Sequence, residues 1–160
     1  MIYENVDGNL IISECSTYEA NYKELRDGLS DVKNSLSSSD WNAETRTTVS
    51  DALQKLIEYC NEIIKKFETL RNVGSLIVDC KQLKSQIDSL NKQRTKQIIL
   101  GGFASYGNTN PSGNTNLSGN TNPSGNNDIV DQYTRKIEEL KKQLNSKDNE
   151  IKGLLGTDGV

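Results

Sequence analysis

The sequence predicts an all-α protein: an antiparallel, coiled-coil-like helical hairpin, a flexible linker and a separate C-terminal coiled-coil helix. Apolar residues recur at alternating steps of three and four residues in two runs that are separated by a polar turn. This spacing is typical of two helices that pack against each other. A charge-free segment follows the second run, and a third heptad run lies near the end of the chain.

The first helix is predicted from the heptad run that precedes the polar turn. Ser16 and Glu19 fit a capping box, in which each side chain bonds an unpaired backbone amide, so we expect the helix to begin near residues 13–16. The run consists of Cys15, Tyr18, Tyr22, Leu25, Leu29, Val32 and Leu36.

The bend between the two helices is predicted at the serine run and the only tryptophan. The hydroxyls of Ser37–Ser39 compete with helical hydrogen bonds, and Asp40 or Asn42 can cap the next helix. Trp41 packs against both helix ends in one interpretation. In another, which is compatible with the first, it also contacts a partner.

The second helix is predicted from about Ala43 to about Leu100, and Gly101–Gly102 closes it. Near Gly74 the apolar spacing slips, which indicates a stammer or a kink. Its heptad run consists of Val49, Leu53, Leu56, Cys60, Ile63, Phe67 and Leu70, followed by Cys80, Leu83, Ile87 and Leu90.

These predictions divide the chain into residues 1–100, 101–127 and 128–160. The middle segment has no charge and repeats a Gly-Asn-Thr-Asn-X-Ser unit. It cannot bury enough apolar surface to offset its conformational entropy, so a flexible linker is predicted. The last segment is predicted to be an amphipathic helix. Its apolar residues are Val130, Tyr133, Ile137, Leu140, Leu144, Ile151 and Leu154.

The last helix and the distal part of the second helix, residues 73–98, have similar lengths. The linker allows the last helix to fold back onto this distal part. Otherwise both apolar stripes are free to bind another chain, because a long exposed apolar seam is rarely left in water.

Composition and charge exclude several classes of function. The chain has no histidine, which removes His-dependent triads and most catalytic zinc sites. With 19 Lys and Arg against 22 Asp and Glu, mixed along the chain, no basic patch for nucleic acid is predicted. No apolar run is long enough for a membrane span. We expect no enzyme activity, no catalytic or metal site and no cofactor.

The three cysteines are predicted to be buried and free, since an odd number does not form a disulfide framework. A bridge between Cys15 and Cys60 across the hairpin is the alternative.

The apolar stripes predict a surface for a helical partner, in a heteromer or in a homodimer. The residues predicted to bind the partner are Trp41, Leu25, Leu29, Leu53, Leu56, Phe67, Leu83, Ile87 and Leu90. The alternative is a self-assembling coiled-coil scaffold. The amino terminus lacks the basic region of a signal peptide. We therefore expect a cytoplasmic protein, with any secretion by a route that is independent of a signal peptide.

Two heptad helices joined by a polar turn with Trp41-Asn42-Ala43 resemble the small Trp-x-Gly (WXG, Esx-like) helical-hairpin proteins of bacterial type VII secretion. The nearest subset is the accessory proteins that accompany LXG toxins. The resemblance covers about residues 5–95, and Ala43 takes the place of the glycine of the family motif. It implies a chaperone or targeting factor that pairs with the helical N-terminal domain of a secreted LXG-type effector.

Overall fold

The computed structural model describes residues 4–106 and 124–156, with side chains for 4–101 and 127–156. Helix α1 spans Gly8–Ser35, α2 spans Ala43–Tyr106 and α3 spans Ser124–Leu155, with a 3-10 turn at Leu36–Ser38. No strand occurs in the described ranges. The prediction of an all-α fold with a hairpin and a C-terminal helix is therefore confirmed.

The boundaries of α2 and α3 differ from the prediction. Helix α2 continues past Gly101–Gly102 to Tyr106, and α3 begins at Ser124. Of the predicted linker, residues 107–123 lie outside the described residues.

The start of α1 was predicted near residues 13–16, and this prediction is wrong. Asp7 caps the helix: its Oδ1 accepts hydrogen bonds from the amides of Asn9 at 3.0 Å and Leu10 at 3.3 Å. The Ser16 hydroxyl instead donates to the Ile12 carbonyl within the helix, at 2.7 Å. A carboxylate cap upstream thus adds about two turns to α1.

The bend is built from side-chain hydrogen bonds, as the serine run predicts. The hydroxyls of Ser35, Ser37, Ser38 and Ser39 each donate to a carbonyl three residues earlier, at distances of 2.7–3.0 Å. These bonds satisfy carbonyls that the end of α1 leaves without a helical partner. Asn42 then caps α2, because its Oδ1 accepts from the Thr45 amide at 2.8 Å.

The chain forms two compact units. The first contains Met1–Asp79 and Glu150–Val160, and the second contains Cys80–Asn149. The second unit joins the distal part of α2 to most of α3, so α3 folds back rather than standing free. Its buried apolar side chains come from both helices: Cys80, Ile87, Ile137 and Leu144.

All three cysteines are buried and free, so the Cys15–Cys60 bridge does not form. The reason is the register of the hairpin. Glu19 of α1 lies beside Arg71 of α2, and Lys33 beside Gln54, which places Cys15 about three to four helical turns from Cys60 along the hairpin.

Candidate functional site

The first unit contains the hairpin, and cross-helix contacts fix its register. Near the bend, the Lys33 ammonium donates to Gln54 Oε1 at 2.6 Å. Farther from the bend, the Phe67 ring stacks on Tyr18, with a centroid distance of 5.5 Å, and also meets Tyr22 at 5.9 Å. These contacts set the heights at which residues of the two helices face each other.

An ion pair with a buried carboxylate lies in the seam between α1 and α2, and the side chain of its partner Arg71 is 38% exposed. Glu19 is buried, its Oε2 lies 2.8 Å from Arg71 Nη1, and its Oε1 accepts from Lys23 one turn later on α1. The hydrogen bond from Lys23 holds the pKa of Glu19 below its ordinary value, and the charge of Arg71 acts in the same direction against the effect of burial. Glu19 is thus ionised at neutral pH and specifies which residues of α2 face it.

Cys15 lies one turn before this ion pair and is also buried. Burial raises the pKa of its thiol, although Arg71 acts in the opposite direction. A buried thiol with a raised pKa forms little thiolate, which is the reactive species. Cys15 therefore contributes packing to the seam and is poorly suited to nucleophilic or redox chemistry.

At the end of the hairpin away from the bend, the two helices touch through glycines. A Cβ on Gly8 would lie 2.5 Å from the Gly74 carbonyl oxygen and 2.9 Å from Val78. A Cβ on Gly74 would lie 2.9 Å from the Gly8 carbonyl oxygen. Only residues without a side chain allow this approach. We call this region the closed end; it consists of Gly8, Ile11, Ile12, Gly74, Ile77 and Val78.

The closed end also explains the irregular apolar spacing around Gly74. Helix α2 runs through this residue without interruption. Val73 and Ile77 are 3% and 1% exposed. The slip in the heptad pattern therefore marks the point along α2 at which different heptad positions become buried. Ile151 of α3, in the same compact unit, is fully buried as well.

Between the closed end and the bend, a row of large apolar side chains stays open to solvent. Five of its members are 40–52% exposed, and Ile63 is partly exposed. We call this row the open stripe; it consists of Tyr18, Leu25 and Val32 on α1 and Leu56, Ile63 and Leu70 on α2.

Both halves of the open stripe lie on the same side of the hairpin. On α1, Tyr18 directly precedes the seam residue Glu19, and on α2, Leu70 directly precedes Arg71. Positions with the same offset from the seam project to the same side of two antiparallel helices, because both helices are right-handed. The stripe is therefore one continuous surface, about 21 Å long at 1.5 Å per residue.

The register groups the six residues of the stripe into three levels. Tyr18 lies within about one turn of the height of Leu70, Leu25 of that of Ile63, and Val32 of that of Leu56, because each step is seven residues in opposite directions. A heptad step of this kind is the repeat of a coiled-coil core. The stripe thus presents three layers of apolar side chains, and in a helical bundle each layer would be completed by side chains of a further helix.

A shallow depression lies on the α1 side of the stripe. Gly28 is at its floor, and a Cβ added there would meet no atom within 4 Å. The residues that line it are Asn21, Glu24, Leu25, Gly28, Leu29 and Val32. Nearly level with Gly28, on α2, the Tyr59 ring is 60% exposed. The surface therefore has a small hollow beside a projecting aromatic side chain.

A second, more polar depression lies at the bend. Its lining includes Lys33, Arg46 and Asp51, together with the hydroxyls of Ser37, Thr47 and Ser50. Within the residues that the structure describes, no group of cysteines and acids is placed to hold a metal ion. In the same ranges, no helix is long and apolar enough to cross a membrane.

The predicted partner-binding residues are divided among three environments. Trp41, Leu25 and Leu56 are about half exposed in the first unit. Leu29, Leu53 and Phe67 are partly buried along the seam. In the second unit Ile87 is buried, and Leu83 and Leu90 are partly buried.

The hollow at Gly28 and the exposed ring of Tyr59 were not predicted from the sequence. The sequence predicted that Leu25 and Leu56 bind a partner, but it did not separate the side of each helix that lies in the seam from the side that forms the open stripe.

One feature of the sequence indicates the difference between the two sides of each helix. Glu19 and Arg71 each directly follow an apolar heptad residue, and in the fold this charged pair lies in the seam. The apolar heptad residues Tyr18 and Leu70 therefore lie beside the seam rather than in it.

Comparison with protein-family models, with curated proteins and with solved structures finds no match to this chain. The class of protein is therefore defined by the fold and the surface alone. It is an all-α protein built on a helical hairpin with one closed end and one open apolar stripe.

Proposed function

We propose that this protein binds a helical segment of another polypeptide through the open stripe and carries out no catalysis. The observation that supports this most directly is the exposure of heptad side chains at three consecutive levels. An exposed coiled-coil seam gains free energy when a further helix covers it. Helices that lie in such grooves are recognised by apolar side chains at heptad spacing.

The type of partner is proposed from the resemblance to the Trp-x-Gly proteins. In this proposal the protein is a type VII secretion accessory, and it acts as a chaperone or targeting factor for the helical N-terminal domain of a secreted LXG-type effector. A hairpin with a tryptophan at its bend supports this assignment, together with a stripe that lies on one face of that hairpin.

The test is co-expression of the full chain with the helical N-terminal domain of an exported toxin that is encoded beside it. We expect the two proteins to co-purify through gel filtration in a fixed ratio, and Leu25→Asp to abolish the complex. Ile99→Asp, at an exposed apolar residue of the second unit, is the matched control and should retain it. Equal binding by the Leu25→Asp protein would refute a role for the stripe.

A self-assembling scaffold is the second candidate function, and one observation favours it. Three successive residues of α2, Ile98, Ile99 and Leu100, are 51–60% exposed in the second unit. A scaffold needs two separate contact surfaces on each chain to grow beyond a dimer. Light scattering distinguishes the candidates, because a scaffold grows in mass with concentration whereas a partner-binding protein stops at a small oligomer.

A further inference from the structure

We propose that one end of the second unit docks on a membrane surface that contains anionic lipids. This end consists of the last turns of α2 and the first turns of α3, which lie together because α3 folds back. We call its exposed apolar residues the apolar tip; they are Ile98, Ile99 and Leu100 on α2 and Ile129 on α3. The open stripe belongs to the first unit, so this inference is independent of the proposed binding of a helical partner.

The first feature that supports a membrane is the distribution of exposed side chains around α2. Ile98, Ile99 and Leu100 are 53%, 51% and 60% exposed. Consecutive residues of an α-helix point about 100° apart, so these three cover about 200° of its circumference. A partner helix covers one side only, along positions three and four residues apart. The interfacial region of a bilayer surrounds a helix end that enters it, and it can therefore cover all three side chains.

The second feature is an excess of basic residues around the apolar tip. Of the 19 Lys and Arg of the chain, five lie in residues 92–136, but only two of its 22 Asp and Glu lie there. The chain has a net charge of -3, so this end is positive in a negative protein. Anionic headgroups attract such a cluster. Its charged residues are Lys92, Arg94, Lys96, Arg135 and Lys136, opposed by Asp128 and Asp131.

The third feature is the spacing between the basic and the apolar residues along α2. Lys92 and Lys96 are exposed, and they precede Leu100 by about 12 and 6 Å along the helix. Interfacial segments bury their apolar part about 5–10 Å into the boundary between headgroups and acyl chains. With α2 upright and the apolar tip at this depth, the lysines reach the lipid phosphates through their flexible side chains. Residues 101–127, which join the two helices, carry no charge that would have to leave water.

A second copy of the chain is the other occupant of the apolar tip, as in the scaffold candidate. Two copies that met tip to tip would bring their basic clusters together, and like charges across an interface oppose association. The charge of this end therefore favours an anionic surface over a second copy.

The test is cosedimentation of the full chain with lipid vesicles of two compositions. One is phosphatidylcholine alone, and the other is an equal mixture of phosphatidylcholine and the anionic lipid phosphatidylglycerol. We expect binding to the mixed vesicles to be at least about tenfold tighter than to phosphatidylcholine alone, because the basic cluster is attracted to anionic headgroups. Added salt should weaken this binding by screening the charges.

Variants at the apolar tip and at its lysines locate the binding surface. Ile99→Asp should weaken binding to the mixed vesicles at least about tenfold, since it places a carboxylate in the acyl boundary. Lys92→Gln with Lys96→Gln should weaken it about 25-fold, because each lysine near the surface contributes about fivefold. Glutamine is as good a helix former as lysine, and circular dichroism should show unchanged helicity.

The matched control removes the same charge from another part of α3. Lys141 and Lys142 are exposed, and they lie about 18 Å or more from Ile129 along the helix, which exceeds the screening length of about 8 Å at physiological salt. Lys141→Gln with Lys142→Gln should therefore bind the mixed vesicles within about twofold of the original chain. Equal weakening by the two double variants would refute a local site at the apolar tip.

The remaining outcomes separate this inference from the other candidates. Leu25→Asp, in the open stripe, should bind the mixed vesicles as the original chain does. A chain that binds neither kind of vesicle refutes the membrane surface and leaves the binding of a helical partner untouched. A mass that grows with concentration without vesicles, and that Ile99→Asp reduces to one chain, would assign the apolar tip to a scaffold instead.

Discussion

The closed end and the open stripe of the hairpin have the same kind of sequence and opposite environments. Ile77 and Leu56 lie three heptads apart on one face of α2, yet Ile77 is 1% exposed and Leu56 is 50% exposed. Ile77 lies beside Gly8 and Gly74, where the helices approach closely, and the fully buried Ile151 of α3 belongs to the same unit. A heptad pattern thus tells which side chains are apolar, whereas small residues help to decide which of them are covered.

The largest expected effect comes from placing a charge at Ile77, and the same change at Leu56 is the comparison. Ile77→Asp buries an unpaired carboxylate and should lower the free energy of unfolding by about 4 kcal/mol or more. Leu56→Asp keeps its carboxylate in water and should change it by less than about 1 kcal/mol in the monomer. Urea unfolding followed by circular dichroism measures both. Similar losses would mean that the stripe is as buried as the closed end.

Alanine substitutions at the two types of glycine provide a smaller test. Gly74→Ala should destabilise the fold by about 1–3 kcal/mol, because its Cβ meets the Gly8 backbone. Gly28→Ala should stabilise it by about 0.5–1 kcal/mol, because alanine favours a helix and the space is empty. Thermal unfolding should be measured in a Leu25→Asp background, which removes association. A stabilising Gly74→Ala would contradict the close helix approach.

The ion pair of the buried Glu19 gives the seam a dependence on pH that the open stripe lacks. Because the pKa of Glu19 is lowered in the folded state, its contribution to stability is complete above the ordinary carboxyl pKa of about 4.3. The contribution is lost as the pH falls through the lowered pKa. Glu19→Gln should lower the melting temperature at neutral pH and reduce the additional loss in acid. Asp31→Asn, at an exposed acid, is the control. An unchanged acid transition in Glu19→Gln would exclude this role.

The two helix caps are expected to have the smallest effects. Asp7→Ala removes the cap beside the closed end, and Asn42→Ala removes the cap at the bend. Each should cost about 1 kcal/mol, because an N-cap side chain satisfies an otherwise unpaired amide. Amide hydrogen exchange can locate the change: Asp7→Ala should increase opening in the first turn of α1 only. Faster amide exchange along the whole hairpin would show that the cap stabilises more of the hairpin than the first turn of α1.

The helices could be predicted from the sequence because each heptad run ends at a strong local signal, such as the serines of the bend. The start of α1 could not, since the capping box at Ser16 and Glu19 competed with the carboxylate of Asp7. Glu19 was interpreted as part of a cap, whereas in the fold it pairs with Arg71 inside the seam. The exposure of the open stripe was not predicted for a similar reason: it depends on which side of each helix faces the other, and contacts between residues distant in sequence, such as Glu19 and Arg71, set this.

Trp41 provides the molecule with its own optical reporter. It is the only tryptophan of the chain, and it is about half exposed at the bend. Its fluorescence therefore reports on one place, whereas the tyrosines among the described residues lie along the helices. A partner that covers the bend should shift the emission to shorter wavelength, and one that covers only the open stripe should leave the emission unchanged. Trp41 fluorescence thus shows, without any added label, whether a ligand lies at the bend or only at the open stripe.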